Sequence, residues 1–180
     1  MLILTKSKLI EILDKYKIDI SNWGKGESKT IDHLFTEIIK GESNIVEKNG
    51  SLLRRVSALS IVVRYKDLIL REDYQEFNDG RRRKRKMKAS VAEKLDASDK
   101  NLTEAVKRAI SEELGIEISD NQISKREDEI KNRISTSYPN LQSEVVLFGF
   151  EVNLIDSQFK KDGHVEIQKD KKTFFKWENI

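Results

Sequence analysis

The sequence predicts an α+β protein built on a mixed sheet, with a helical extension at its N-terminus. Three observations predict it. Two amphipathic helical segments come first, over residues 6–17 and 30–40. Short apolar runs separated by turn residues follow from residue 44. A third amphipathic segment, residues 101–116, then interrupts the strands before they resume.

The first helix places Leu9, Ile10, Ile12 and Leu13 near one face. Residues 21–29, SNWGKGESK, form a polar loop anchored by Trp23; they lack the spacing and the preceding strand of a phosphate loop. The second helix carries Ile31, Leu34, Phe35, Ile38 and Ile39, is capped by Thr30 or Ser28, and stops at Gly41. Asn49-Gly50 between residues 44–48 and 52–56 signals a hairpin, because both positions tolerate positive φ. Residues 58–65, ALSIVVRY, read as a buried strand, and residues 68–77 return as a second, more polar one. Beyond the third helix, residues 121–130 read as a short charged helix and residues 133–138 favour no element. Residues 141–154 read as a long strand, with Gly149 at a bulge. Residues 165–168 and 173–177 form a final strand pair around a solvated turn.

The third helix carries the functional signal. Its apolar residues Leu102, Ala105, Val106, Ala109, Ile110 and Leu114 cover about half of the circumference at roughly 100° per residue. Glu113 projects into the middle of that apolar arc, and Glu112 sits at its edge. A carboxylate aimed at a core is costly unless a cation meets it. Ser98 or Asp99 is expected to cap the start, and Gly115 to end the last turn. The plainer alternative is an ordinary helix end whose Glu113 pairs with a lysine of a neighbouring strand.

Within this helix, residues 108–116, RAISEELGI, resemble the second half of the Nudix box, G-x5-E-x7-R-E-U-x-E-E-x-G-U. Arg108, Ile110, Glu112, Glu113, Gly115 and Ile116 match in register. The resemblance implies an α/β/α sandwich over residues 43–180, with residues 1–42 as the helical extension. It implies that Glu112 and Glu113 ligate magnesium or manganese, and that Arg108 braces the loop by pairing with a glutamate. It also implies a small-molecule ligand of the nucleoside-diphosphate type.

The departures from the box are specific. Ala109 stands where the box has a glutamate, and Lys100 and Lys94 replace its upstream glutamate and glycine. Divalent cations of this kind need several oxygen ligands. The expectation is therefore a diphosphate-binding domain whose hydrolase activity is weak or lost, with an active magnesium-dependent hydrolase as the alternative.

Composition bounds the remaining classes. The chain has 180 residues, 37% apolar and 36% charged, enough for one domain with a small appendage. Basic and acidic residues nearly balance at 34 and 31, so no global nucleic-acid-like charge exists. The absence of cysteine excludes disulfides, thiolate metal sites and cysteine nucleophiles. The two histidines, His33 and His164, have no ligand-spaced partner. No apolar run approaches the about 20 residues of a membrane span, and the cytoplasm is the expected compartment.

One charge cluster stands out. Residues 81–88, RRRKRKMK, hold seven positive charges in eight positions. Solvated arginines paired with surface acids are one reading. A second is an anion site in which Arg81, Arg82, Arg83 and Arg85 bind phosphates or a nucleic-acid backbone as bidentate forks. A nuclear localisation signal is the third. Aromatic residues, which single-strand binding favours, are missing from the run itself, and Tyr74 and Phe77 nearby read as packing.

Overall fold

The computed structural model describes residues 5–85 and 87–180. The architecture is α+β, as predicted. In chain order the elements begin with helices α1 (Lys6–Lys15) and α2 (Ile31–Ile39) and strands β1 (Asn44–Lys48), β2 (Ser51–Tyr65), β3 (Leu68–Phe77), β4 (Arg82–Arg83) and β5 (Val91–Lys94). Helix α3 (Leu102–Leu114) follows, then β6 (Ile123–Lys125), β7 (Glu129–Ile134), β8 (Gln142–Asn153), β9 (His164–Ile167) and β10 (Lys171–Asn179). By its contacts the chain divides into two compact units. The first comprises Met1–Ala58, Lys94–Lys100 and Asp128–Leu147; the second comprises Leu59–Glu93, Asn101–Glu127 and Phe148–Ile180.

In the first unit, the stripes of α1 and α2 bury Leu9, Leu13 and Leu34 against Ile45, Leu52, Tyr138 and Leu141. Thr30 caps α2 by accepting a hydrogen bond from the His33 amide. Asn49 and Gly50, at φ 53° and 74°, close the β1–β2 hairpin so that Lys48 lies opposite Ser51. Beneath α2, the buried Glu37 accepts hydrogen bonds from Arg54 at 2.5 Å and Lys29 at 2.7 Å, and Lys94 stands 3.6 Å away. Burial alone would raise this carboxyl. The three cations outweigh it and hold it down to about 2.

The sheet orders its strands β6-β8-β2-β3-β10-β9, and β3, β6, β9 and β10 lie wholly in the second unit. The β3–β10 ladder runs from Leu68 opposite Asn179 to Phe77 opposite Lys171, with an irregularity at Phe174/Phe175. Helix α3 contributes Val106, Ala109 and Ile110, all with no exposed surface, to the core of this unit. At Gly149 the chain approaches so closely that an added Cβ would lie 2.3 Å from the Glu127 carbonyl oxygen. The sequence places a bulge at this glycine; the finding is a close backbone approach.

One predicted element is absent. Residues 121–130 do not form a helix: a 3-10 turn at Asp120–Gln122 leads into β6, and β7 begins at Glu129. Its only apolar residues, Ile123 and Ile130, are seven apart, too few to make a buried helical stripe. Ile123 instead pairs with Val152 in the ladder. Among the described residues, no helix is long and apolar enough to cross a membrane.

Candidate functional site

Helix α3 is held at both ends by its own sequence. Asn101 is the cap, its side chain accepting from the amides of Thr103 and Glu104. This corrects the expectation of Ser98 or Asp99. Both are engaged one turn earlier: Ser98 donates to Asp96, and the Asp96 amide donates to Asp99. Gly115 ends the helix in the left-handed conformation at φ 66°, its N–H donating to the Ser111 carbonyl.

The last turn delivers Glu113 to a polar cleft of about 210 Å³ in the second unit. Glu72 of β3, Glu93 of β5 and Glu166 of β9 line the same cleft, with Arg85 and Lys171 as its basic groups. Strand alternation explains the arrivals. Glu166 pairs in register with Thr173, and both turn toward the cleft, while Val165 and Ile167 turn away. Buried His164 at the start of β9 lies by the Leu114 backbone at the end of α3. Burial holds its imidazole below the ordinary histidine range.

Electrostatically the cleft concentrates like charge. Glu113 and Glu166 line the same cleft, and the charge of each bears on the other. Burial, followed by the Glu166 charge, pushes the Glu113 carboxyl up to about 8, with Lys171 opposing the shift. Glu166 also accepts a hydrogen bond from the Gln168 amide. Glu72, 2% exposed at its side chain, is held by the guanidinium of Arg85.

The structure divides the residues singled out by sequence. Glu113 faces the cleft. Glu112 does not join it: its side chain is 59% exposed and pairs with Arg108 at 3.5 Å. Arg108 thus meets a glutamate one turn along the helix, while Glu104 pairs with Lys107. Ala109 is completely buried. Lys94 turns to Glu37 and Glu42 in the first unit. Among the described residues, no three histidine, aspartate or glutamate side chains are close enough to hold a metal ion.

The basic run is largely met by the acids and amides of the preceding hairpin. Arg81 pairs with Asp79 at 2.6 Å, Arg82 with Glu76 at 2.7 Å, and Arg83 donates to the Gln75 amide oxygen at 2.6 Å. Only Arg85 of the four candidate phosphate ligands lines the cleft. Lys86 lies outside the described residues.

Sequence reasoning missed Glu72, Glu93, Glu166 and Lys171. Each sits in a short alternating strand or at its edge, where a polar residue reads as solvent-facing. Which face is covered is settled only by the register of β3, β10 and β9. A larger cleft of about 350 Å³ beside α2 is lined by Lys29, His33, Glu37 and Lys40. Its central acid Glu37 is already met by three cations.

No protein-family model and no curated protein matches the sequence. Solved structures resemble its fold. A mutator MutT protein from Bacillus halodurans is 18% identical over 68% of this chain and 67% of its own, with a TM-score of 0.37. A C. elegans Ap4A hydrolase in a binary complex is 15% identical over 68% and 79%, with a TM-score of 0.39. A MutT/nudix family protein from Enterococcus faecalis is 13% identical over 99% of this chain and 57% of its own, with a TM-score of 0.44.

Proposed function

We propose that the second unit is a Nudix-like cleft that binds a phosphate-bearing small molecule of the nucleoside-diphosphate type together with a divalent cation, and that turnover is weak. The observation that carries this reading is the meeting of Glu113 and Glu166 at the end of the RAISEELGI helix, beside Arg85 and Lys171. Two carboxyls in one cleft, one of them raised toward its protonated form, are a natural seat for magnesium or manganese, whose binding would displace that proton. Glu113 and Glu166 would hold the cation, and Glu93 borders them. A bound cation there would neutralise a diphosphate and acidify a coordinated water.

Weak turnover follows from what the cleft lacks. Ala109 offers no oxygen, and Glu112 is turned to solvent against Arg108. Two carboxylates leave most of a six-oxygen shell to water and ligand phosphate. Lys171 is available to hold a phosphate oxygen, whereas Arg85 must first yield its bond to Glu72.

Calorimetric titration with manganese chloride, alone and with ADP-ribose present, tests the reading. Wild-type protein is expected to take up manganese more tightly when the diphosphate is present. Glu113→Gln and Glu166→Gln are expected to lose at least about tenfold in manganese affinity. Absence of manganese and nucleotide binding by folded wild-type protein defeats the proposal. Rapid phosphate-bond cleavage abolished by chelator would favour the active-hydrolase alternative over a binding module.

A further inference from the structure

The positive charge of this chain is concentrated in one part of its fold. Residues 71–88 and 169–176 contain twelve basic and five acidic residues, against 34 and 31 in the whole chain. The rest of the molecule is therefore net acidic. Apart from Lys86, which lies outside the described residues, they fall in β3, β4 and β10 and in the segments that join or follow these strands, within the second unit.

Strand alternation sorts them onto two faces. Gln75, Thr173 and Glu166 turn to the cleft. On the opposite face, the register aligns Val165 with Phe174 and Phe174 with Tyr74, across β9, β10 and β3. The Phe174 and Tyr74 rings stack at 4.5 Å and 16°, and the Arg82 guanidinium covers Tyr74 at 4.7 Å. Lysines flank this aromatic row along β10: Lys172 on one side and Lys176 on the other. The face is open, with Ile167 76%, Val165 49% and the Lys176 side chain 51% exposed.

We propose that this face binds single-stranded nucleic acid, independently of the diphosphate cleft. The Arg82–Tyr74–Phe174 stack presents its aromatic and guanidinium edges to bases on an open sheet face, and the flanking lysines offer phosphates a counter-charge. The basic run alone lacks aromatics in sequence; folding supplies them from β3 and β10. The ion pairs on this face do not block the charge. In Arg82–Glu76 and Lys176–Asp73 the cation is the exposed partner, at 63% and 51%, and a phosphate can replace the carboxylate. The row spans about two or three nucleotides, the reach of a comparable sheet platform. A duplex fits less well, because its bases are stacked and hidden from the rings.

Fluorescence anisotropy of labelled oligo-uridine and oligo-thymidine 15-mers with the full chain tests this. Binding is expected at about 50 mM salt and should weaken as salt rises. The Lys172→Ala/Lys176→Ala double variant should lose about tenfold in affinity. Its log-affinity against log-salt slope should fall by about 1.4, or 0.7 per lost phosphate contact. Tyr74→Leu should weaken binding severalfold at an unchanged slope, while Tyr74→Phe retains it. Thermal melts of each variant establish that it is folded. The proposal is overturned by no binding at about 100 μM protein, by unchanged affinity in the double lysine variant, or by equal affinity for Tyr74→Leu. Tighter association with duplex, or with vesicles of anionic lipid, than with single strands overturns it as well.

Discussion

Glu113 at the end of α3 and Glu166 in β9 bring two carboxyls into one polar cleft, where burial and the Glu166 charge raise the Glu113 carboxyl. Two acids in that relation cannot both be ionised cheaply, and the consequences are measurable.

The first concerns stability against pH. The Glu113 carboxyl is raised to about 8 in the folded protein from an ordinary value near 4.5. Between those values the folded state holds a proton that the unfolded chain has lost, so this group's contribution to stability declines as pH rises. Melting temperature should fall by a few degrees between pH 5 and 8.5 in wild type, and the decline should flatten in Glu113→Gln. Equal pH profiles for the two proteins would contradict the carboxyl pairing.

Glu37 has the opposite sign. Its folded value of about 2 lies below the unfolded one. The stability it supplies is present above about pH 4.5 and disappears as pH falls toward 2. Glu37→Gln should cost about 2–4 kcal/mol in urea unfolding at pH 7, since Arg54 is left buried without its counter-charge. That variant should also lose much of its sensitivity to acid.

Gly163 sits at φ 82°, and a Cβ there would fall 1.9 Å from the Phe175 carbonyl oxygen. Gly163→Ala must displace β9 from β10 and move Glu166. We expect a loss of at least about 2 kcal/mol in stability. Manganese uptake should weaken in the same variant, by calorimetry under conditions where it remains folded.

Placing a glutamate at position 109 should not create a site. Ala109 has no exposed surface, so Ala109→Glu buries a carboxylate in a packed helix face. The expected result is a lower melting temperature and no gain in diphosphate hydrolysis. A clear rise in chelator-sensitive activity would show that the helix can turn this position into the cleft.

Much of the local structure was legible in the residues. The three helices, the Asn49-Gly50 hairpin, the long strand ending near Leu154 and the C-terminal strand pair all follow from periodicity and turn chemistry. The exceptional placement of Glu113 on an apolar arc was legible as well. Its neighbour was not: Glu112 lies only about 100° further round the helix, which is enough to reach solvent and Arg108. The charged segment after α3 misled because its two isoleucines fit either a helix or an edge strand. The first two helices also share a core with Tyr138 and Leu141, a long-range packing that periodicity cannot report.

The sequence by itself determined the three amphipathic helices, where the chain turns, and that one carboxylate would face inward. Those properties depend on neighbours within a few residues. Only the tertiary structure decided that Glu166, Glu93 and Lys171 would meet Glu113, and that Arg82 would lie over Tyr74 beside Phe174. Strand register sets those meetings, and a shift of one residue would turn every side chain to the other face.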